Sequence, residues 1–474
     1  MAPTSMCLNG KDVDKRPLKP ATGQFVPLVV VLVGLPARGK TVLAHKLERY
    51  LNWIGHHAKV ISLSTYRRKY FSKYDSNVIF DIENPDSSSL RKQYTHDAIQ
   101  STKDWLEVEG DIAILDGTHG SQDIRQLLRT LFVKQLGYKL LFIECEIDDN
   151  KLIEDNIKET IQICEDYSGM DYNDALKDLR TKIDIFSKYY TSISPKEEEN
   201  CSYIKFHNAG ENISVHRLDG PYQTKVLEFV SCFRPVKKTL FFTRHGESEF
   251  NLLGRIGGDT NLSSRGHTYA NSLAEYFNKA EINNLRVWTS EKKRTKQTAE
   301  GIKAPVEHLL ALNELDAGIC EGMTYEEMQE KFPQEFAWRD QDKLRYRYPW
   351  GESYVDIMTR LEPVLLELER EDSVLVISHQ AVLRCVLGYF LNTNPDRLPY
   401  LNVPLHKIIK LTSRGYECDI EHISLNVACV DTYRQQPTNC SADRSTDDVL
   451  ITIPKHYDNL KPRPMEPTLV NSMN

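Results

Sequence analysis

From Val29 onward the chain alternates short apolar runs with longer amphipathic stretches. The apolar runs read LVVVLVG, AKVISLS, IAILDG and KLLFIECEI, and the stretches between them include TVLAHKLERYLNWIG and SLRKQYTHDAIQSTKDWLEVEG. Short apolar runs predict buried strands, and apolar residues at every third or fourth position predict amphipathic helices. Because strand and helix alternate, we predict a mainly parallel sheet with helices on both faces.

The same alternation begins again after two charged, proline-containing segments, SPKEEENCS and CFRPVKKT. New strands are predicted at TLFFT, LRVWTS, SVLVIS and KIIKLT, with RGHTYANSLAEYFNKA as a helix between them. The fold prediction is therefore α/β, with two domains at 25–235 and 236–440, each built on a mainly parallel sheet flanked by helices. Residues 1–24 and 441–474 are polar and rich in turn formers, which predicts a flexible N-terminal arm and a C-terminal tail.

Composition narrows the classes of function. A net charge of −7, with both signs scattered along 474 residues, argues against a nucleic-acid or membrane-surface protein. The longest apolar run, FVPLVVVLVG, is too short to span a bilayer. Ten cysteines at irregular spacings include no C-x-x-C pair, which predicts reduced thiols in the cytoplasm, without disulfides or structural zinc.

A phosphate-binding motif follows the first predicted strand. The pattern G-x-x-x-x-G-K-[ST] is matched by eight consecutive residues: Gly34, Leu35, Pro36, Ala37, Arg38, Gly39, Lys40 and Thr41. In such a loop the backbone N–H groups surround a phosphate, Lys40 contacts the β- and γ-phosphate oxygens, and the Thr41 hydroxyl holds Mg²⁺. Asp116, which ends the run IAILD, is predicted to hold the same Mg²⁺ through water. Lys40 and Asp116 together predict a phosphoryl transferase.

Two histidines follow two of the later strands. The stretch TRHGES places Arg244 and His245 after one strand, ISHQ places His379 after another, and Arg294 follows a third. Because the carboxyl ends of strands in an open α/β sheet share one edge, we expect these side chains to meet. A neutral imidazole can attack phosphorus while guanidinium groups neutralise the oxygens. The pattern predicts phosphoryl transfer through His245, with His379 bonding the same oxygens and Glu314 protonating the departing alkoxide.

These segments are similar to those of a known family. RHGESEFNLLGRIGGD, VWTSEKKRTKQTAE, NELDAGICEGMTYEE, RDQDKLRYRYPWGESY and ISHQAVLRC resemble the histidine phosphatase superfamily. With GLPARGKT and RYLNWIG upstream, the chain from about Pro27 to Pro454 resembles the 6-phosphofructo-2-kinase/fructose-2,6-bisphosphatase family. The resemblance implies a cytosolic homodimer that makes fructose 2,6-bisphosphate from fructose 6-phosphate and ATP, with Mg²⁺, in one domain. It implies hydrolysis of that product in the other domain without a cofactor, and no nucleic-acid or membrane partner.

The resemblance assigns roles within the phosphatase half. It makes His245 the nucleophile that becomes phosphohistidine, Glu314 the proton donor and His379 the second histidine. The 2-phosphoryl group would be held by three residues: Arg244, Asn251 and Arg294. The sugar and its 6-phosphate would be bound by a further set: Gly257, Tyr325, Arg339, Lys343, Tyr354, Gln380 and Arg384. The chemistry agrees, because a second, non-reacting phosphate needs its own Arg and Lys ligands.

The kinase half matches the family less completely. The positions that match the family are Lys40, Thr41, Arg67, Arg68, Arg91, Asp116, Thr118 and Arg125. Asn156 is expected to contact the nucleotide. The expected substrate ligands of this half are Arg67, Arg91, Thr118, Arg125 and Lys182. Where the family shows Asp-Ala-Thr-Asn-Thr-Thr-Arg and two further arginines, this chain reads DGTHGSQDIR, so the positions that depart are His119, Gly120, Gln122 and Ile124.

Four of the family's sugar-phosphate positions carry other residues here: Ile124 in place of an arginine, Ile161 in place of a lysine, Lys182 and Phe186. Each lost charge-assisted hydrogen bond is worth about 1.5–3 kcal/mol, so two or three together reduce acceptor affinity on the order of a thousandfold. Lys158 or Arg125 could supply replacement charges. The nucleotide site is therefore predicted to be intact and the acceptor site eroded.

Three functions remain open at this point. The first is a bifunctional enzyme with a weakened kinase. The second is a fructose-2,6-bisphosphatase whose kinase domain only binds nucleotide and regulates. The third is a broader histidine-type phosphomonoesterase or mutase attached to a P-loop scaffold that mainly mediates dimerisation. The presence of Arg339, Lys343 and Arg384 argues against this third function.

Overall fold

The computed structural model describes six stretches of the 474-residue chain: residues 26–71, 74–80, 84–194, 196, 200–235 and 237–436. The predicted arm at 1–24 and the predicted tail at 441–474 lie outside these stretches.

Within the described residues, twelve strands form two six-stranded sheets. The first sheet contains β1 (Leu28–Val33), β2 (Ala58–Ser62), β3 (Ile112–Asp116), β4 (Lys139–Glu146), β5 (Ser202–His207) and β6 (Asn212–His216). The second contains β7 (Thr239–Arg244), β8 (Arg286–Thr289), β9 (Val306–His308), β10 (Ser373–Ser378), β11 (Lys407–Arg414) and β12 (Glu417–Ser424).

Both sheets are mainly parallel. The first has the order β2-β3-β1-β4-β5-β6, in which only the β5–β6 pair is antiparallel. The second has the order β12-β11-β7-β10-β8-β9, in which β11 is antiparallel to both of its neighbours. The predicted fold class is confirmed.

Helices cover both sheets. Those of the first half are α1 (Lys40–Trp53), α2 (Leu63–Tyr70), α3 (Ser76–Phe80), α4 (Pro85–Val108), α5 (Gln122–Arg129), α6 (Asn150–Ile163), α7 (Tyr172–Ser187) and α8 (Pro221–Cys232). Those of the second half are α9 (Glu249–Leu252), α10 (Ser264–Lys279), α11 (Lys293–Ala299), α12 (Tyr325–Lys331), α13 (Pro333–Gln341), α14 (Tyr354–Arg370) and α15 (Gln380–Phe390). None of the helices in the described ranges has the length and apolar character needed to cross a membrane.

The sequence of β1 explains why helices lie on both faces of the first sheet. Successive side chains of a strand point to opposite faces. Val30 and Leu32 belong to one buried cluster, with side chains of α1 and α8, whereas Val29 and Val31 belong to another on the opposite face. A strand that is apolar at every position therefore needs cover on both sides.

The two halves of the chain share a buried cluster of charged residues. Lys46 on α1 donates from Nζ to Oε2 of Glu369 on α14 at 2.9 Å, and Lys238 lies 3.7 Å from the same oxygen. The Tyr389 hydroxyl donates to Glu369 Oε1 at 3.2 Å. Burial alone would raise the pKa of Glu369, but Lys46 and Lys238 outweigh it, so the pKa lies below its usual value. The carboxylate is therefore ionised and tied to both halves.

We expect Glu369→Ala to lower the free energy of unfolding by about 3–5 kcal/mol, because it leaves two lysines buried without their carboxylate. Denaturant unfolding followed by circular dichroism measures the change. The control is Glu421→Ala, which breaks an exposed pair with Lys410 and is expected to cost about 1 kcal/mol or less. Equal effects of the two substitutions would show that the buried pair adds no more stability than the exposed one.

Candidate active sites

The phosphate-binding loop lies at the carboxyl end of β1, between β3 and β4. Gly34 has φ +140°, and a Cβ there would lie 2.5 Å from the carbonyl oxygen of Cys145, so only glycine fits this position. Lys40 begins α1, and its Nζ donates to the Leu35 carbonyl at 2.6 Å. Burial lowers the pKa of Lys40 to about 8, although Asp116 opposes the shift. A phosphate bound here would oppose this shift and raise the pKa of Lys40 again.

The two residues predicted to hold Mg²⁺ are adjacent. The Thr41 hydroxyl donates to Asp116 Oδ2 at 2.9 Å, and Ser62 Oγ donates to the same oxygen at 3.2 Å. Magnesium prefers oxygen ligands and usually takes only one or two from the protein, with phosphate oxygens and water completing its shell. The hydroxyl and carboxylate oxygens beside Lys40 fit that requirement.

Most of the predicted kinase residues share one cavity of about 670 Å³ beside this loop. Its lining includes Pro36, Ala37, Arg38, Gly39, Lys40, Thr41, Arg67, Arg91, Asp116, Thr118, Ile124, Lys182 and Phe186. Asn156 lies at the edge, where its Nδ2 donates to the Ala37 carbonyl at 3.3 Å. Gly34 and Leu35 are not part of this lining, but Gly34 N donates to the Thr118 carbonyl at 3.0 Å and so fixes Thr118.

Two of the cations predicted to bind the acceptor in this cavity already have partners in the protein. Arg67 pairs with buried Asp166 at 2.5 Å. Lys182 lies with its Nζ over the rings of Tyr74 and Phe80, at 5.5 and 5.4 Å from their centres. Arg67 therefore already has a carboxylate partner, and Ile124 is an apolar residue of the same cavity lining.

Arg125 does not lie where the family resemblance placed it. Its side chain is 1% exposed and donates from Nη1 to the carbonyls of His119 at 3.3 Å and Thr191 at 3.0 Å, outside the cavity lining. Lys158 is exposed and pairs with Asp155 at 3.2 Å. A residue of the expected type in a motif can thus point inward and support a loop. Neither Arg125 nor Lys158 lines the cavity that contains Ile124.

Sequence reasoning missed several residues of this cavity, among them Tyr416 and His119. Tyr416, in the turn between β11 and β12 of the second half, lines it, and its ring centre lies 4.4 Å from that of His45 on α1, with the two rings tilted by 38°. His119, which marked a departure from the family pattern, donates from Nδ1 to the Leu32 carbonyl at 2.7 Å. Burial lowers the pKa of His119 to about 4, so the ring is neutral. No local pattern could identify Tyr416, because its position depends on how the two halves pack.

The two candidate catalytic histidines meet because β7 and β10 are adjacent and parallel. Arg244 is paired in register with Ser378, and His245 N donates to the Ser378 carbonyl at 3.0 Å. Each histidine is the next residue after its strand, and the ring centres of His245 and His379 are 5.1 Å apart. The strand register therefore brings the two imidazoles together at one edge.

The hydrogen bonds of His245 identify its nucleophilic atom. Nδ1 lies 2.7 Å from the Gly246 carbonyl oxygen, which can only accept, so Nδ1 carries the proton and Nε2 has the free lone pair. Burial, followed by Arg294 and Arg244, holds the pKa of His245 well below its usual range. The Nε2 atom of His379 is 2.7 Å from Ser290 Oγ, and its buried Nδ1 has no hydrogen-bond partner.

Three further groups surround the histidines. Arg244 donates from Nη1 to Thr432 Oγ1 at 2.7 Å, and its buried Nε has no partner. Arg294 donates to the Gly258 carbonyl at 2.7 Å. Glu314 Oε1 accepts from the backbone of Leu315 at 2.9 Å and of Ala381 at 3.3 Å. Donors without partners around a neutral imidazole suit an oxyanion such as phosphate.

A second group of cations lies next to this centre, in a cavity of about 130 Å³. The predicted residues that line it are Arg244, Asn251, Gly257, Glu314, Tyr325, Arg339, Lys343, Tyr354, Gln380 and Arg384. Arg339 donates to the hydroxyls of Tyr325 at 3.1 Å and Tyr348 at 2.6 Å, and Arg384 to that of Tyr354 at 3.0 Å. Burial, followed by the neighbouring guanidiniums, holds the pKa of Lys343 well below its usual range. Such crowding of cations fits a multiply charged anion.

Three residues of this half were not assigned a role from the sequence. Glu247 of the TRHGES stretch is fully buried and accepts from Arg265 Nε at 2.9 Å and Nη2 at 2.8 Å, so it orders the loop after His245. Thr432 and Arg434 line the cavity from beyond the last strand. Neither Thr432 nor Arg434 lies in a motif. They reach the cavity because the segment after β12 folds back onto it.

Comparisons with known proteins agree with this division. A family profile described as 6-phosphofructo-2-kinase matches residues 19–236, and one described as histidine phosphatase superfamily (branch 1) matches residues 240–426. The 6-phosphofructo-2-kinase/fructose-2,6-bisphosphatase of Aquarana catesbeiana is 44% identical over 432 residues, which cover 91% of this chain and 92% of that protein. The 6-phosphofructo-2-kinase/fructose-2,6-bisphosphatase 1 of Rattus norvegicus is 45% identical, and that of Homo sapiens 44% identical, each over 432 residues and 91% of both chains.

Proposed function

The chain belongs to the 6-phosphofructo-2-kinase/fructose-2,6-bisphosphatase family, and we propose that it is a bifunctional enzyme whose two sites differ in completeness. We assign hydrolysis of fructose 2,6-bisphosphate to residues 236–440 and its synthesis from ATP and fructose 6-phosphate to residues 25–235. The observation that carries the first assignment is the buried pair His245 and His379, with unpartnered donors around it and a second cation group alongside.

In the proposed hydrolysis, His245 Nε2 attacks the phosphorus of the 2-phosphate and the bond from phosphorus to the sugar oxygen breaks. Glu314 gives its proton to that oxygen, so fructose 6-phosphate leaves as the neutral alcohol. Arg244 and Arg294 neutralise the oxygens of the transferring group. Water then attacks the phosphohistidine, Glu314 takes a proton from it, and inorganic phosphate leaves. All of these groups belong to the protein, so the step needs no cofactor.

In the proposed synthesis, the loop around Lys40 binds the ATP phosphates, and Thr41 and Asp116 would hold Mg²⁺. Magnesium, when bound, would neutralise charge on the phosphate oxygens. The acceptor would lie at the end of the cavity that holds Thr118, Arg91 and Lys182. Since Ile124 replaces an arginine there, binding of fructose 6-phosphate is the weak step.

A single pair of assays tests the assignment. Purified protein is given MgATP with fructose 6-phosphate to measure synthesis, and fructose 2,6-bisphosphate to measure hydrolysis. Hydrolysis without synthesis would favour the second candidate function, a phosphatase with a regulatory nucleotide-binding domain. The apolar side chains of Ile124 and Phe186 in the cavity lining support that candidate. Equal hydrolysis of phosphomonoesters without a second phosphate would instead favour a broad phosphomonoesterase.

We also propose that the enzyme works in the cytosol as a homodimer, as its family resemblance implies. The eight cysteines in the described part of the chain are all free thiols, which suits a reducing compartment. Sedimentation equilibrium of the purified protein tests the dimer.

The pH behaviour of His245 is a direct test of its role. Because its pKa lies well below the usual value of 6.5, the ring should stay neutral, and therefore nucleophilic, as the pH falls past 6.5. We expect no titration of its ring signals between about pH 8 and pH 5.5 in spectra of protein labelled with ¹³C at histidine, assigned by comparison with His245→Gln. An unperturbed imidazole would be about 90% protonated at the acidic end. A midpoint near 6.5 would contradict the proposed environment.

A further inference from the structure

Residues 430–434, which follow β12, lie across the phosphatase cavity and contact both of its phosphate sites. Val430 N donates to Oε2 of buried Glu247 at 2.8 Å. Two residues further on, Thr432 Oγ1 accepts from Arg244, a ligand proposed for the transferring phosphate, at 2.7 Å. The backbone is thus held in place beside the catalytic centre.

Arg434 continues this segment into the second group of cations. Its residue surface is only 9% exposed, and its Nη1 and Nη2 atoms are buried without a hydrogen-bond partner. The nearest carboxylate oxygen it pairs with, Asp340 Oδ2, is 3.5 Å away, too far for a good hydrogen bond. The guanidinium carbon lies 5.2 Å from the ring centre of Tyr325 and 5.3 Å from that of Phe336, so two aromatic rings pack against it. Burying such donors unbonded is costly, so they indicate a ligand.

The surroundings of Arg434 identify the chemistry of that ligand. Arg434 shares its cavity with Arg339, Lys343 and Arg384. Asp340 pairs with both Arg339, at 3.1 Å, and Arg434, so one carboxylate serves two guanidiniums. The cluster therefore keeps a large positive charge, which a phosphate dianion would neutralise.

We propose that Arg434 is a direct ligand of the non-reacting phosphate of the substrate, to which Nη1 and Nη2 donate a pair of hydrogen bonds. This inference rests on the proposed function, since it takes the substrate to be a bisphosphate. Arg434 then selects substrates with a second phosphate, and the short segment from Thr432 to Arg434 links the two phosphate sites at a fixed spacing.

The test uses full-length protein and three measurements: hydrolysis of fructose 2,6-bisphosphate, hydrolysis of 4-nitrophenyl phosphate, and competitive inhibition of the latter by fructose 6-phosphate. For Arg434→Gln we expect KM for the bisphosphate to rise about 10- to 100-fold with kcat within about threefold of wild type. The inhibition constant of fructose 6-phosphate should rise by a similar factor, while turnover of 4-nitrophenyl phosphate changes little. Arg434→Lys keeps the charge but not the paired donors. Its KM for the bisphosphate and its inhibition constant should therefore lie between those of wild type and those of Arg434→Gln.

Arg414→Gln is the matched control, because it removes an exposed guanidinium of the same half outside the cavity. Unchanged KM and inhibition constant in Arg434→Gln would overturn the proposal. An equal loss with both substrates would also overturn it, because Arg434 would then act through the fold or through Arg244. If wild type hydrolysed 4-nitrophenyl phosphate but not the bisphosphate, the proposed function itself would fail, and this is seen before any variant is made.

Discussion

Replacing His245 with alanine is expected to lower kcat for hydrolysis of fructose 2,6-bisphosphate by at least about 10³-fold. The imidazole is the group that forms a bond to phosphorus in the proposed reaction. Its Nδ1 donates to the Gly246 carbonyl, so its Nε2 carries the lone pair that attacks phosphorus. Wild type incubated with substrate labelled at the 2-phosphate and quenched rapidly should carry acid-labile label, and the variant should carry none.

The matched control is His267→Ala, which removes an exposed histidine from α10 and should keep both label and turnover. The circular dichroism spectrum and the thermal unfolding midpoint of the full-length variant, compared with wild type, serve as the test that His245→Ala is folded. Wild-type turnover without any label would point to direct attack by water, and the histidine pair would then only bind the phosphate. Label at His379 instead of His245 would reverse the two assignments.

The sequence predicted the histidine pair and the phosphate-binding loop because both depend on local features. The residue that follows a parallel strand lies at the carboxyl edge of the sheet. The apolar runs before His245 and His379 were therefore enough to place both histidines at one edge. Four strands were not predicted: β5, β6, β9 and β12. Of these, β6, β9 and β12 are largely exposed and short of apolar residues, whereas β5 is buried between β4 and β6 but alternates apolar with polar residues instead of forming an apolar run.

The sequence could not predict the positions of three other side chains, those of Arg125, Tyr416 and Arg434. Arg125 matches its motif by type, but sequence does not fix the direction of a long side chain, and here it bonds to carbonyls inside the fold. Tyr416 and Arg434 reach their cavities through chain segments that return from elsewhere. Their positions follow from tertiary packing, which no local pattern contains.

The kinase site gives the second large expected effect. We expect MgATP to bind with ordinary affinity, because the residues predicted to bind its phosphates and Mg²⁺, Lys40, Thr41 and Asp116, are all present and line one cavity. By contrast, KM for fructose 6-phosphate should lie above about 1 mM, the upper end of the usual range, since the missing acceptor ligands reduce affinity by about a thousandfold. Isothermal titration with MgATP and steady-state synthesis assays measure the two quantities separately.

Restoring one charge tests the cause. Ile124 lines the cavity, so Ile124→Arg should raise kcat/KM for fructose 6-phosphate about 10-fold or more without changing MgATP affinity. Gln126→Arg adds the same charge to an exposed position of α5 and should give no gain. Ile161 packs against the cluster of Ile157, Tyr167 and Leu179 and does not line the cavity, so Ile161→Lys should bring instability and no activity.

The outcome also decides between the two remaining functions, because ground-state binding and chemistry respond differently. If Ile124→Arg lowers KM and leaves kcat alone, the catalytic groups are intact, and the wild type is a kinase limited by acceptor binding. If neither parameter improves while MgATP still binds, the defect lies at the transferring phosphate, and the first half serves as a nucleotide-binding regulator. If the wild type binds fructose 6-phosphate with ordinary affinity, the prediction that its acceptor site has lost essential ligands is wrong. The acceptor ligands would then have to be cations already in the cavity, with Lys182 the first to replace, because neither Arg125 nor Lys158 reaches it.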